Sequence, residues 1–154
     1  MPILESNSIV WSPHLLKDIN LVEDVQRKFT KFLPGLFNLP YLQRLEIIGI
    51  DSLELRRIQA DLVYLFKIIK GFVDVDPLDW VSFNLMNTRG HDLKINVQAS
   101  RTNCRKFFFV NRTIPVWNHL PAFIVNCANV ESFKRELQKF NLSSYCRGRA
   151  YTAT

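Results

Sequence analysis

Glycine is scarce: five in 154 residues, each isolated. A Gly-rich phosphate loop needs clustered glycines, so none is present. Cysteine is also scarce. Cys104, Cys127 and Cys146 are odd in number and far apart, which argues against a secreted disulfide framework. Long apolar runs are missing. Met1-Pro2-Ile3-Leu4-Glu5 lacks the basic-then-apolar order of a signal peptide. The most apolar window, Leu62 to Lys70, is too short for a bilayer and contains two lysines. The expectation is an intracellular chain, cytoplasmic or nuclear, with no membrane partner. In that setting the sequons at Asn111 and Asn141 read as chance matches.

Catalytic patterns are equally thin. His14, His91 and His119 pair with no second His or Cys at ligand spacing. No serine sits in a nucleophile elbow. Asp74 and Asp76 could form a two-metal carboxylate pair, but they precede Pro77 in a turn and read better as solvated turn residues. No small-molecule substrate and no cofactor are expected.

What is present is apolar bulk and positive charge. Hydrophobic residues make up 47% of the chain, enough for a sizeable core. The formal net charge is +6, compatible with a nucleic-acid partner. Ser12-Pro13 can open a helix, and Leu15, Ile19, Val22, Val25 (or Gln26), Phe29 and Phe32 recur at its spacing as the expected inward stripe. Lys17, Arg27, Lys28 and Lys31 take the other face. A second helix follows Pro40, with Leu42, Leu45 and Ile48 on one side, and ends at Gly49. Asp51, with Glu54 three residues on, resembles a capping box for a third helix. Its stripe is Leu55, Ile58, Leu62, Leu65 and Ile69, with Gly71 as its stop. Trp80–Leu85 and Leu93–Val97 alternate apolar and polar, which predicts a small hairpin. A helix is expected from Asn103 to His119, kinked or split at Pro115, and a last one after Asn129 with Val130, Phe133, Leu137 and Phe140 inward. The tail from Ser143 is expected to fray. The expected class is mainly α, a helical bundle with a small β-hairpin insertion, divided as 1–72, 73–142 and a flexible basic tail 143–154.

The charge concentrates in one window. Arg89, Lys94, Arg101, Arg105, Lys106 and Arg112 share it with a single acid, Asp92, and with Phe107, Phe108 and Phe109. Basic side chains neutralise phosphates, and rings can stack on unpaired bases. Most of the Phe run is expected in the core, leaving the cations as the functional part. Arg56 and Arg57 form a second set on the third helix, with Lys67 and Lys70 nearby.

These pieces, in order, resemble non-LTR (LINE-type) retrotransposon reverse transcriptases. The resemblance rests on Pro2-Ile3-Leu4-Glu5, Val10-Trp11-Ser12-Pro13 and Val25-Gln26-Arg27-Lys28-Phe29-Thr30-Lys31. It continues through Arg44-Leu45, Leu53-Glu54-Leu55-Arg56-Arg57, Asp61-Leu62, Thr88-Arg89-Gly90-His91, Arg101, Asn111-Arg112, Trp117-Asn118-His119-Leu120-Pro121 and Ser132-Phe133-Lys134. It implies the thumb, over 1–72, and the extension after it. It implies template-primer RNA and DNA as partners, with the polymerase's own palm as a possible second partner. The family's magnesium-binding Phe/Tyr-x-Asp-Asp element lies upstream of this region and is not in this chain, so the chain alone is expected to polymerise nothing. The family runs a continuous helix where this chain has Pro115. The competing reading is a helical protein-interaction module or a remnant of the element without function.

Overall fold

The computed structural model describes residues 2–84 and 90–148. The chain is mainly helical and divides into two compact units. One comprises Met1–Ile58 with Leu142–Thr154, the other Gln59–Asn141.

The first unit holds α1 (Pro2–Glu5), α2 (Leu16–Lys31), α3 (Tyr41–Ile48) and the start of α4 (Leu53–Ile69). Helix α2 begins after Leu15, with no side-chain cap, rather than at Ser12-Pro13. Its orientation is turned part-way round from the expected one. Ile19 and Gln26, the latter expected inward as the alternative to Val25, are buried, but with them go Glu23 and Thr30, the four spaced three and four apart like an apolar stripe. Leu21, Val25, Phe29 and Phe32 are 68%, 46%, 55% and 87% exposed. The inward polar face is favourable because its groups are satisfied. The Glu23 carboxylate accepts a short hydrogen bond from the Tyr41 hydroxyl, and accepts from the backbone N–H of Leu53 and of Glu54. It therefore caps α4 from another helix, where an anion also suits the helix dipole. Gln26 donates to Asp51 O at 3.1 Å and accepts from Arg56.

The capping box expected at Asp51 and Glu54 does not form. Ser52 Oγ accepts from Leu55 N at 3.2 Å, and Glu54 turns to the C-terminal segment. Its two carboxylate oxygens accept from Arg147 N and Gly148 N, both at 2.8 Å. Leu142 and Cys146 are buried, so the tail expected to fray from Ser143 is held as far as Gly148. A Cβ on Gly148 would lie 2.8 Å from Glu54 Oε2 and 3.2 Å from Ile19 Cγ2, which accounts for glycine there.

Helices α3 and α4 both stop as expected. Gly49 and Gly71 adopt positive φ of 73° and 71°, and paired N–H groups return to the last turn in the manner of a Schellman cap.

The second unit contains the rest of α4, then α5 (Pro77–Trp80), α6 (Asn103–Lys106), α7 (Phe109–His119), α8 (Ala122–Val125) and α9 (Val130–Lys139). Its core gathers Leu62, Leu65, Phe66 and Ile68 of α4 with Ile114, Trp117, Ile124, Phe133 and Leu137. Phe66 stacks on Phe133 with centroids 4.2 Å apart. The Trp117 indole donates to Leu93 O at 2.8 Å. Asn129 caps α9 by accepting from Ser132 N, as its sequence predicts.

The expected hairpin is not there. Among the described residues there is no strand, only one antiparallel bridge, Phe83 to Ile95. One cause is visible. Asp76 caps α5 through Leu78 N at 2.9 Å, which draws Trp80 into a helix. The N–H and C=O of Ile95 that point away from Phe83 are taken by the Asn118 amide, at 2.9 and 2.8 Å, which closes the far edge of this segment to a further strand. Residues 85–89 of the expected hairpin lie outside the described residues.

The break in the Asn103–His119 segment also falls elsewhere than expected. Pro115 sits inside α7. The chain instead breaks at Phe107 and Phe108, where Phe108 is extended. Side chains donate to backbone oxygens at the break: Asn111 to Arg105 O at 2.7 Å and Arg112 to Phe107 O at 3.3 Å.

Candidate nucleic-acid interface

The segment from Leu93 to Arg112 carries the candidate site, all within the second unit. Arg101, Arg105 and Lys106 are exposed. The loop bearing them is braced from α7: Asn111 donates to Ser100 Oγ at 3.1 Å as well as to Arg105 O. The Arg105 guanidinium donates to Gln98 Oε1 at 3.1 Å, a neutral partner that leaves its charge uncompensated. The Lys106 ammonium lies 5.6 Å from the Phe107 ring centre. Lys94 is half-buried, its side chain 3.1 Å from where a Gly90 Cβ would stand.

The three consecutive phenylalanines part company. Phe109 is buried and meets Tyr64 edge-on, centroids 5.5 Å apart. Phe107 is half-buried. Phe108 is 48% exposed and lies nearly parallel to Trp80, 6.0 Å away. The expectation that most of this run is core therefore holds for Phe109 alone. Phe108 and Trp80 together offer a wet aromatic surface beside the cations.

Other candidates sit differently. Arg112 faces Asp61, whose oxygens accept from Nε at 2.7 Å and Nη2 at 2.9 Å. This two-pronged pair is nearly buried and leaves Arg112 a framework residue. Arg57 is buried in the first unit; it donates to Leu4 O and Trp11 O and lies 4.1 Å from the Trp11 ring centre. Arg56 pairs with Glu5 and donates to Gln26. Both are tied internally, as helix periodicity cannot reveal. Arg89 lies outside the described residues.

Asp76 is engaged in capping α5. Among the described residues no three of His, Cys, Asp and Glu come together in a way that could hold an ion. Among the described residues no helix is long and apolar enough to cross a membrane. No protein-family model, no curated protein and no solved structure matches the chain.

Sequence reasoning missed two features here. One is Asn111 as the brace of the basic loop; its only signal was a polar residue among buried ones. The other is the Trp80–Phe108 pair, whose members are 28 positions apart and carry no local pattern.

Proposed function

We propose that this chain binds nucleic acid by phosphate contact, as the thumb-like part of an RNA-directed DNA polymerase of the non-LTR retrotransposon kind. The observation that carries the reading is the exposed set Arg101, Arg105 and Lys106 on a braced loop beside the Phe108 ring. No acid occurs between Asp92 and Glu131, so the segment bearing these cations carries no carboxylate of its own to offset them. Cations of this kind contact phosphates and carry no sequence information, while an exposed ring can stack on any base. The ordered family-like segments supply the polymerase context. Binding of template-primer is then sequence-tolerant and weakened by salt.

The test is fluorescence anisotropy with a labelled RNA–DNA hybrid at low salt. The double charge reversal Arg101→Glu, Arg105→Glu lowers affinity at least about tenfold and flattens the salt dependence, each lost phosphate contact removing roughly one from its log–log slope. No binding by the native chain, or binding indifferent to the double reversal, sinks the reading. Given magnesium, template and primer, the chain extends nothing; measurable extension contradicts its role as a non-catalytic part.

A further inference from the structure

Helix α2 carries a second interaction surface, on the face opposite to its polar interior. At about 100° per residue, Leu21, Val25, Phe29 and Phe32 fall within roughly 80° of the circumference. They are exposed along the whole helix, whereas a helix normally turns such a stripe inward. Along one edge of this ridge stand Lys17, Lys28 and Lys31, all exposed. Lys31 lies 5.3 Å from the ring centre of exposed Phe37, beyond the C-terminal end of the ridge. Asp24 shares that edge but is paired with Arg27 at 3.3 Å. On the other edge the ridge is bordered by Val22, and that edge carries no acid; Asp18 lies in line with the ridge itself, before its N-terminal end at Leu21.

Charge and shape select one occupant. The ridge is narrow, matching one facing helix, where a lipid surface favours a broad apolar face with basic residues on both sides. A second copy fits poorly. Antiparallel pairing sets lysine edge against lysine edge, and parallel pairing opposes the three lysines with the Val22 edge, which carries no acid. Flanking charges of this sort choose partner and orientation in helix pairs. We propose that the α2 ridge docks an amphipathic helix of a partner protein whose apolar seam is edged by carboxylates, aligned against Lys17, Lys28 and Lys31. This surface is independent of the Arg101–Lys106 loop.

A display library of helical peptides tests this, with a fixed leucine seam and flanks randomised among Glu, Gln and Lys, selected on the full chain. Glu-flanked peptides are expected to enrich and to bind at least about tenfold better than their Lys-flanked counterparts. Phe29→Ser should abolish that binding with an unchanged thermal melt, since the side chain is exposed. The combined Lys17→Glu, Lys28→Glu, Lys31→Glu variant keeps the seam and should invert the preference toward Lys-flanked peptides. Absence of enrichment, enrichment of neutral or Lys-flanked peptides, or binding that survives Phe29→Ser each overturns the assignment. So does phosphatidylserine-vesicle sedimentation, or dimerisation in light scattering, that Phe29→Ser removes.

Discussion

At the scale of single residues, the second unit depends on a few polar contacts set in apolar surroundings. The Arg112–Asp61 pair is the strongest case. Both partners are largely withdrawn from water, so removing one leaves a desolvated charge. Asp61→Ala is expected to cost about 3 kcal/mol in urea denaturation. A loss below about 1 kcal/mol would mean that Arg112 relaxes to solvent. His91 supplies a pH dependence. It is buried; its Nε2 donates to Trp117 O at 3.1 Å, and Nδ1 has no hydrogen-bond partner among the described residues. Burial holds its pKa below the ordinary 6.5, outweighing the opposing effect of the Trp117 carbonyl. The unfolded chain therefore takes up a proton before the folded one does. The stability due to neutral His91 is complete above pH 6.5 and declines as pH falls through that value toward the lower folded pKa. Urea midpoints should fall over this range, and less steeply in His91→Gln. An NMR titration placing the His91 pKa at or above the ordinary value would contradict this.

At the scale of elements, α2 is turned part-way round from the orientation its apolar spacing assigns, with Ile19 and Gln26 inside but Val25, Phe29 and Phe32 outside. Glu23, Gln26 and Thr30 share the spacing of an apolar stripe, and periodicity alone cannot say which of two regular faces turns inward. The answer lies in partners far along the chain: Tyr41 and the first turn of α4 present donors that a carboxylate satisfies and a phenylalanine cannot. Glu23→Ala should therefore cost about 3 kcal/mol, through an unsatisfied tyrosine hydroxyl and two helix N–H groups. Phe29→Ala should cost under about 1 kcal/mol, as for a solvent-facing site. Chemical denaturation of both variants decides the matter, and the reverse order would restore the sequence reading. Elsewhere local rules were enough. Gly49, Gly71 and Asn129 end or start helices as their chemistry requires, and Leu62, Leu65, Phe133 and Leu137 are buried as their spacing predicts. The hairpin was lost for a nearer reason. The alternation in Leu93–Val97 is present, but Asp76 caps α5 through Leu78 N and draws Trp80 into a helix, which leaves only the Phe83–Ile95 bridge. In the candidate site, Arg101, Arg105 and Lys106 could be read from charge density, while the internal ties of Arg56, Arg57 and Arg112 depend on Glu5, Trp11 and Asp61, which no spacing rule links to them.

At the scale of the whole molecule, the boundary between units does not follow the sequence order expected from 1–72 and 73–142. It falls inside α4, between Ile58 and Gln59, and the chain from Leu142 onward belongs with the first 58 residues. The physical link is Glu54, whose carboxylate holds Arg147 and Gly148, together with the burial of Leu142 and Cys146. Burial also pushes the Cys146 thiol up to about 12, aided by Glu54, Glu23 and Asp51, so this cysteine belongs to a structural interior and is not a reactive tail group. Deleting 142–154 therefore removes part of the first unit's packing and leaves the second unit's core intact. Amide hydrogen exchange should show protection lost in α2 and α3, by about 2 kcal/mol or more for the buried leucine and the two charge-assisted hydrogen bonds. The amides of α7 and α9 should keep theirs. Equal loss in both sets would mean that the chain unfolds as one cooperative body, and the C-terminal segment would then support the Phe66–Phe133–Trp117 core as much as the helices that Glu54 ties it to.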